Sequence, residues 1–353
     1  MLPYIALVSS ITIMTLFDKK RCENFIFFIL VSWMLIFSAF RVGGTGTGDY
    51  ETYLELYNSI DSWEKVINPD VHAELGFRIL SLSGNLWDFP EQFIIVIMAI
   101  LSIFPVVYVI YKYSPYKILS LLIWMPYFLT MNMHSSRTSV AAAFGLLFLI
   151  SFAKRNTSIL YFVIACLFHY SSFVLIGVFL AKVRLKRFLR ISVLSLIIFL
   201  LISPFDLLIR FLDLIGIHRL SGFIQIYLES GDYGYKMPIY DPRILLGILV
   251  SLLILNIKNS FIKDFEISFY KIFLIGVLLM MVFSDVTIMA WRTSYYFLLI
   301  GVILIPLMAE KYNIKFQSSI GLKRLMSFVF VLIYLLYTTP LIMKAEPYEF
   351  FLK

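Results

Sequence analysis

Long runs of apolar residues, separated by short charged segments, make up most of this sequence. About ten of the runs approach the roughly 20 residues that a membrane-spanning helix needs. They lie near residues 2–17, 25–40, 91–111, 118–133, 138–153, 191–205, 244–257, 267–284, 294–309 and 325–343. The pattern predicts an all-α fold, a polytopic integral membrane helical bundle with about ten spans.

The composition excludes a soluble globular protein. Of the 353 residues, 61% are hydrophobic and only 15% are charged, whereas a soluble domain has roughly 45–50% apolar and 25% charged residues. No interior in water could hold this excess of apolar side chains, so lipid is the expected solvent. The net charge of +8 is spread over short loops. It therefore indicates membrane topology, and no nucleic-acid partner is expected.

The apolar stretch 157–181 differs from the other runs. It carries His169-Tyr170-Ser171-Ser172 in its middle and has lysines and arginines at both ends. If both ends lie on the cytoplasmic side, the chain must enter the membrane and return. We expect a broken, re-entrant helical hairpin whose two halves meet at His169, with the broken backbone buried in protein or facing water.

The distribution of basic residues predicts the sidedness. Lysine and arginine are concentrated in alternate linkers, at 18–24, 112–117, 154–156, 182–190, 258–266 and 310–324, whereas acidic residues predominate on the opposite face. By the positive-inside rule the basic linkers are cytoplasmic. Both termini are then external, which for a bacterial chain means the periplasmic face of the inner membrane.

Two segments on the predicted outer face, 41–90 and 204–243, are too long to be simple turns. Loops of this length in a compact protein are usually functional or disordered. We expect them to cap the outer face of a single transmembrane domain that comprises residues 1–353.

Three arginines at the outer ends of predicted spans are candidates for binding an anion. Arg41 opens the sequence RVGGTGTGDY, whose four glycines allow backbone amides to approach a ligand and which ends in Asp49 and Tyr50. Arg137 lies near the positive end of a predicted helix, where phosphate is favoured. Arg292 is the third. The alternatives are a flexible loop for the glycine-rich stretch and membrane-surface anchoring for Arg137 and Arg292.

Among the histidines, His169 is the leading candidate for a general base, because imidazole titrates near neutral pH. The alternative is a hydrogen bond between helices, the commoner role of a membrane histidine. For His134, just before Arg137, a polar helix cap is favoured. The sequence has no zinc or magnesium motif, and Cys22 and Cys166 are far apart. No metal, cofactor or disulfide is expected.

The external segments are rich in polar and aromatic residues that suit sugar rings and hydroxyls, although interfacial tyrosines are also ordinary in membrane proteins. These residues are Glu74, Arg78, Asp206, Arg210, Asp213, Arg219, Asp232, Tyr233, Tyr235, Tyr240 and Arg243.

Four motifs occur in a fixed order. They are RVGGTGTGDY with Tyr53 and Tyr57 following, Glu-x-Gly-Phe at residues 74–77, SSRTSVAAAFG from Ser135, and Phe-His-Tyr-Ser-Ser at residues 168–172. In combination, order and spacing they resemble the EpsG-like branch of the Wzy-type polysaccharide polymerases. One departure is Thr138, where relatives often have glutamine after the arginine.

The resemblance implies a membrane glycosyltransferase on the outer face of the inner membrane. It would polymerise oligosaccharide repeat units carried on undecaprenyl pyrophosphate, by transferring the growing glycan to the sugar of an incoming lipid-linked unit. Membrane lipid and, by family habit, a chain-length regulator would be its partners. The product would be O-antigen or a related surface polysaccharide.

Under the function that the resemblance implies, the favoured mechanism is direct displacement at the anomeric carbon, without a metal. Arg41, Arg137 and Arg292 would stabilise the leaving pyrophosphate. His169, Asp49 and Glu74 are the candidate bases, in that order. Tyr50, His134, Arg78, Tyr233 and Tyr235 are candidate substrate-binding residues.

Three rival functions remain at this point. A flippase or transporter for the lipid-linked sugar would distribute polar residues through both halves of the bundle, whereas Lys271 is the one charge inside a predicted span of the cytoplasmic half. An O-antigen ligase, or another transferase with the same donor, is poorly separated from a polymerase by sequence. A membrane acyltransferase would place a catalytic histidine near a cytoplasmic or bilayer donor channel.

Overall fold

A computed structural model describes the chain at residues 1–16, 22–45, 49–201, 203–216, 218–229, 235–238, 240–257, 263–315 and 320–351. Its regular structure is almost entirely helical. Apart from helices, the described residues form one antiparallel sheet of two two-residue strands. The all-α prediction is therefore confirmed, with this small sheet as an addition.

The elements up to residue 153 are α1 (Leu2–Leu16), α2 (Glu23–Ala39), β1 (Arg41–Val42), α3 (Asp49–Ser59), α4 (Trp63–Ile67), α5 (Leu75–Leu86), α6 (Gln92–Tyr113), α7 (Lys117–Tyr127), a π-helix (Phe128–Asn132) and α8 (Ser136–Ala153). Those that follow are α9 (Ile159–Phe168), a 3₁₀-helix (Tyr170–Lys182), α10 (Leu185–Leu201), α11 (Pro204–Leu214), α12 (His218–Glu229), α13 (Pro242–Ile257), α14 (Asp264–Val282), α15 (Thr287–Leu298), α16 (Gly301–Lys315), α17 (Ile320–Met343) and β2 (Glu349–Phe350).

The chain divides into two compact units, which are described separately. The first unit contains Met1–Ser151, Thr157–Ser172 and Gly301–Lys353. The second contains Phe152–Asn156 and Phe173–Ile300. The single transmembrane domain expected from the sequence stays a prediction.

Each predicted span overlaps at least one helix of the structure. Three helices, Gln92–Tyr113, Ser136–Ala153 and Asp264–Val282, are long and apolar enough to cross a membrane, or four spans if the bent pair Thr287–Leu298 and Gly301–Tyr312 counts as one. Others are apolar but shorter, such as Leu2–Leu16. The protein is thus a multi-pass membrane protein, and the count of ten spans stays a prediction.

Two predicted spans are not regular helices. The run 294–309 was expected to be one span, but α15 ends at Leu298 and α16 begins at Gly301. In the run 118–133, α7 passes into the π-helix immediately after Pro126 and Tyr127. Proline lacks an amide hydrogen and crowds the turn before it, so Pro126 weakens the last turn of α7.

The break expected at His169 is present. Helix α9 ends at Phe168, His169 is extended with φ −160° and ψ 124°, and the 3₁₀-helix begins at Tyr170. The hydroxyl of Ser172 donates to the carbonyl of His169 at 2.7 Å, and so satisfies a backbone group that the helix end leaves open. The Ser-Ser pair therefore stabilises the break.

Helix α7 is the centre of the first unit. It packs against α1, α2, α16 and α17, and every residue from Ile118 to Pro126 is buried. Trp124 is 2% exposed and lies edge-on to Phe128. A helix that is apolar and buried on all sides requires neighbours on all sides. Helix α7 therefore provides a fixed support for the π-helix and the loop that follow it.

In the second unit, α14 and α15 pack closely because Gly276 faces Leu298. A side chain on Gly276 would come within 2.8 Å of the Leu298 Cγ. The buried Lys271 of α14 donates to the carbonyls of Ala181 and Val183. A cation at the end of the 3₁₀-helix compensates its exposed carbonyls, which explains a lysine inside a predicted span.

The segment 344–351 returns to the start of the glycine-rich loop. Strand β2 pairs with β1, with Arg41 opposite Phe350, and the amide of Phe351 donates to the carbonyl of Phe40 at 2.8 Å. The ring of Tyr348 stacks on Phe37 with a centroid distance of 4.1 Å. This segment thus fixes the backbone of Arg41, although the two are more than 300 positions apart.

Replacing Tyr348 with alanine should lower the free energy of unfolding by about 2 kcal/mol, because the stacked ring and its buried apolar area are lost. Tyr348→Phe keeps the ring and removes only the hydrogen bond from its hydroxyl to the Phe37 carbonyl, at a cost of about 1 kcal/mol. Unfolding of the purified protein in detergent measures both. The exposed Phe351 provides the control Phe351→Ala, expected within about 0.5 kcal/mol of wild type. Equal stability of Tyr348→Ala and Phe351→Ala would contradict the packing role.

Candidate functional site

Arg41 lies at the bottom of the candidate site in the first unit. It is 1% exposed. Its Nη1 donates to the carbonyl of Gly43, its Nη2 donates to the Ser136 hydroxyl at 3.0 Å, and its guanidinium lies 5.7 Å from the Tyr50 ring centroid. Its Nε has no hydrogen-bond partner. Among the described residues, no carboxylate lies within 4.0 Å of this guanidinium.

Burial lowers the pKa of Arg41, while Tyr53, Tyr4, Tyr50 and Asp49 oppose that effect. The guanidinium nevertheless stays protonated, because an arginine side chain is not deprotonated in proteins. A buried cation without a paired carboxylate is costly, and an anionic ligand would relieve this cost. The prediction that Arg41 binds an anion is consistent with this geometry.

Gln92 and Tyr50 support the Arg41 backbone. The amide nitrogen of Gln92 donates to the carbonyls of Ala39 at 2.8 Å and Arg41 at 3.1 Å. The Tyr50 hydroxyl donates to the Gln92 side-chain oxygen at 2.8 Å. Since Tyr50 is 7% exposed and its hydroxyl is engaged, it is placed to hold the loop. Its expected contact with substrate stays a prediction.

The first half of the glycine-rich loop is docked on the π-helix. The amide of Thr45 donates to the Met133 carbonyl at 3.0 Å, and its hydroxyl donates to the Leu129 carbonyl. A side chain on Gly44 would lie within 2.2 Å of that same Met133 carbonyl. The irregular helix supplies carbonyls that the loop satisfies, so this part of the loop is ordered. Residues 46–48 lie outside the described part of the chain.

Arg137, the second residue of α8, is held by Glu74. Its Nη1 donates to Glu74 Oε2 at 2.6 Å and to the His72 carbonyl at 3.3 Å. Its guanidinium lies 5.5 Å from the Tyr53 ring centroid and 5.8 Å from that of Phe77. The side chain of Arg137 is 22% exposed and that of Glu74 is 9% exposed. Arg137 is therefore oriented by one carboxylate and two rings, with an edge that reaches solvent.

The Glu-x-Gly-Phe motif contacts both Arg137 and the end of helix α9, just before the break at His169. Glu74 pairs with Arg137, Phe77 lies beneath it, and Gly76 faces the end of α9. A side chain on Gly76 would come within 2.8 Å of the Leu167 carbonyl and 3.1 Å of the Phe168 ring. Only glycine allows this approach. The structure thus brings together two motifs that are about 90 residues apart.

The ring of His169 has a fixed orientation. Its Nδ1 accepts from the backbone amide of Ser171 at 3.1 Å and lies 2.7 Å from the Ser171 hydroxyl. A nitrogen that accepts an amide hydrogen carries no proton, so a neutral His169 carries its proton on Nε2. In this tautomer Nε2 is a hydrogen-bond donor.

Asp49 and His134 form a loose pair at the solvent edge. His134 Nε2 lies 4.0 Å from Asp49 Oδ2, and the side chains are 35% and 43% exposed, respectively. His134 Nδ1 is buried without a hydrogen-bond partner. Asp49 interacts electrostatically with Arg41, Tyr53 and Arg137. Asp49 therefore lies within electrostatic range of both arginines.

Arg78, expected to bind substrate, is 8% exposed and lies one turn after Glu74. Its Nη1 donates to the Asn68 carbonyl at 2.7 Å, and its Nε has no partner. It fixes the link between α4 and α5. A direct contact with substrate stays a prediction.

Two other predicted site residues belong to the second unit. Arg292 lies on α15 and has no ion pair or hydrogen bond within the described ranges. Tyr235 is 51% exposed, and its carbonyl accepts from the Thr287 hydroxyl at 2.7 Å. Tyr233 lies outside the described residues. Their roles stay predictions.

In the second unit, Arg243 stacks on Trp291, the residue that precedes Arg292 in the sequence. Arg243 is paired with Asp241 through two side-chain nitrogens, and its guanidinium lies 4.5 Å from the Trp291 ring centroid. Hydrogen bonds from Arg243 hold the pKa of the Asp241 carboxyl below its usual value, although burial acts in the opposite direction and is the largest single effect. This arginine is thus neutralised by its own carboxylate, unlike Arg41.

Sequence reasoning missed several residues of this site. Gln92, Thr45 and Ser136 bind Arg41 or its loop, and Tyr348 and Phe350 fix it from a distant segment. Gln92 had one available signal, because a buried amide at the start of an apolar run requires partners. For the parts of the chain that the structure covers, no cluster of three or more metal-ligating side chains is found.

Gly76→Ala should destabilise the protein by about 1–3 kcal/mol, since the added methyl group meets the Leu167 backbone. Gly222→Ala is the matched control, because no atom lies within 4 Å of its added methyl group and alanine favours a helix by about 1 kcal/mol. Thermal unfolding in detergent compares the two. A neutral Gly76→Ala would show that α5 and α9 are not packed through this glycine.

Comparison with known proteins gives one match. The sequence profile of the EpsG family matches residues 24–350. No curated protein and no solved structure matches the chain. The match includes all four motifs and nearly the whole sequence. The protein is therefore a member of the EpsG family, which is associated with Wzy-type polysaccharide polymerases.

Proposed function

We propose that this protein polymerises oligosaccharide repeat units carried on undecaprenyl pyrophosphate. It acts on the outer face of the bacterial inner membrane, with both termini external, and produces O-antigen or a related surface polysaccharide. The observation that carries the proposal is the cluster of Arg41, Arg137 and Asp49 in one compact unit of an EpsG-family membrane protein. A chain-length regulator is a further proposed partner.

The proposed reaction is a single displacement. An acceptor sugar hydroxyl forms a bond to the anomeric carbon of the growing chain, and the bond from that carbon to the pyrophosphate oxygen breaks. The electron pair leaves with undecaprenyl pyrophosphate, and the hydroxyl proton passes to a base. Negative charge therefore increases on the leaving group during the reaction.

Arg41 and Arg137 supply positive charge for this leaving group. Both are fixed before substrate arrives, Arg41 by Ser136 and Arg137 by Glu74. Preorganised donors stabilise a developing anion most strongly where water is excluded, and Arg41 is almost fully buried. Glu74 neutralises part of the Arg137 charge, so Arg41 is the stronger electrostatic element. Arg292 is a third candidate on the second unit.

His169 completes the proposed donor site as a hydrogen-bond donor. Ser171 holds its Nδ1 in the acceptor state, so Nε2 carries a proton that it can donate to a phosphate or sugar oxygen. Gly76 places this break beside the Glu74 turn. The tyrosines of 204–243 would hold sugars and determine which repeat unit is used.

Arg41→Ala and Arg137→Ala should each abolish the ladder of long surface glycans, since loss of one such donor slows an enzyme by about 10²–10³-fold. The measurement is glycan length on gels, in a strain that lacks the gene and is complemented with each variant at equal membrane levels. Arg155→Ala is the matched control, because Arg155 forms an exposed ion pair with Asp264 that is worth less than about 1 kcal/mol. It should restore the full ladder.

The deletion strain itself tests the reaction class. Loss of polymerisation leaves glycan capped with a single repeat, whereas loss of flipping or ligation removes the single repeat as well. The second pattern would overturn the proposed function.

A further inference from the structure

The base that accepts the acceptor proton must have a free lone pair and a side chain that substrate can reach. The first unit holds three candidates, Glu74, His169 and Asp49. Their surroundings differ enough to separate them.

Glu74 is poorly suited to the task. Its Oε2 accepts a short hydrogen bond from Arg137 at 2.6 Å, and its side chain is only 9% exposed. A proton on this carboxylate would break the ion pair and leave Arg137 without its charged partner, which is costly for a partly buried cation. The ion pair between Glu74 and Arg137 therefore holds the Arg137 guanidinium in position.

His169 is also poorly suited. Its Nδ1 accepts from the Ser171 amide, and so Nε2 already carries the proton in the neutral ring. To act as a base, the ring would have to lose the hydrogen bond that fixes it at the helix break. The geometry favours donation from His169.

Asp49 meets both requirements. Its side chain is 43% exposed, and His134 Nε2 lies 4.0 Å from its Oδ2. It also interacts electrostatically with Arg41, Arg137 and Tyr53. Its carboxylate is therefore accessible and within electrostatic range of the two arginines that would hold the leaving group.

His134 supplies the next step for the proton. Its Nε2 faces Asp49, while its Nδ1 is buried. Because Nδ1 is buried, Nε2 is the nitrogen of His134 that is placed to exchange a proton with Asp49.

We infer that Asp49 is the general base of this reaction and that His134 receives the proton from it. The inference rests on the proposed function. As the bond from the acceptor oxygen to the anomeric carbon forms, the hydroxyl proton moves to an Asp49 oxygen and the pyrophosphate departs with its electron pair. The proton then moves to His134 Nε2 and is later released to water, so Asp49 is free for the next cycle.

The test uses purified full-length protein and the lipid-linked single repeats that accumulate in the deletion strain. Asp49→Asn should lower kcat by about 10²–10⁴-fold with little change in KM, and Asp49→Glu should recover part of the loss. Glu51→Gln is the control, since it removes an exposed carboxylate from the same first turn of α3. It should behave as wild type.

Replacing His134 or His169 with glutamine distinguishes a residue that takes up a proton from one that only donates a hydrogen bond. Glutamine can donate a hydrogen bond but cannot take up a proton. His134→Gln should lower kcat by about 10²-fold with little change in KM. His169→Gln should lower kcat less than about tenfold.

The reverse result, with His169→Gln as damaging as Asp49→Asn and His134→Gln near wild type, would overturn the inference. So would wild-type activity of Asp49→Asn. If wild-type protein itself fails to lengthen the single repeats, the proposed function fails instead, and the two failures are distinguishable. Thermal unfolding of each variant shows whether a loss of kcat comes from misfolding.

Discussion

The candidate site depends on one constraint, a buried guanidinium that has no carboxylate within 4.0 Å in the described part of the chain. Arg41 is almost fully buried, and its hydrogen bonds go to neutral oxygens of Gly43 and Ser136. Such a group is retained only if the surrounding structure fixes it. Gln92, the π-helix and β2 all do so through the neighbouring backbone. The π-helix and the two-stranded sheet of the first unit therefore both help to fix Arg41.

Much of the fold follows from the sequence. Apolar runs locate the helices, and the polar His169 turn locates the break, because a helix in lipid is interrupted only where side chains or water satisfy its backbone. The sequence could not reveal the break between α15 and α16, since Leu299 and Ile300 are as apolar as their neighbours. It also could not reveal β1 and β2, whose pairing depends on residues far apart along the chain.

The sequence predicts which residues belong to the candidate site, but it does not predict which of them contact one another. Arg41 and Arg137 could be singled out because charges at the ends of membrane spans are costly, and Asp49 because it ends the glycine-rich loop that Arg41 opens. Their partners were not predictable, because the Glu74 to Arg137 pair and the Gly76 contact with α9 depend on helix packing. The ranking of the candidate bases likewise depends on contacts that the sequence does not show. The Ser171 amide, which decides the tautomer of His169, is a backbone group that every residue except proline supplies.

The pairing of β1 with β2 has a consequence for biosynthesis. Residue 41 emerges from the ribosome early, whereas residues 349 and 350 are made after every helix described here. Contacts of such sequence separation form late, since a long loop must close before they stabilise anything. The surroundings of Arg41 are therefore completed only after synthesis of the preceding helices, and a partly synthesised chain in the membrane holds Arg41 without its strand partner.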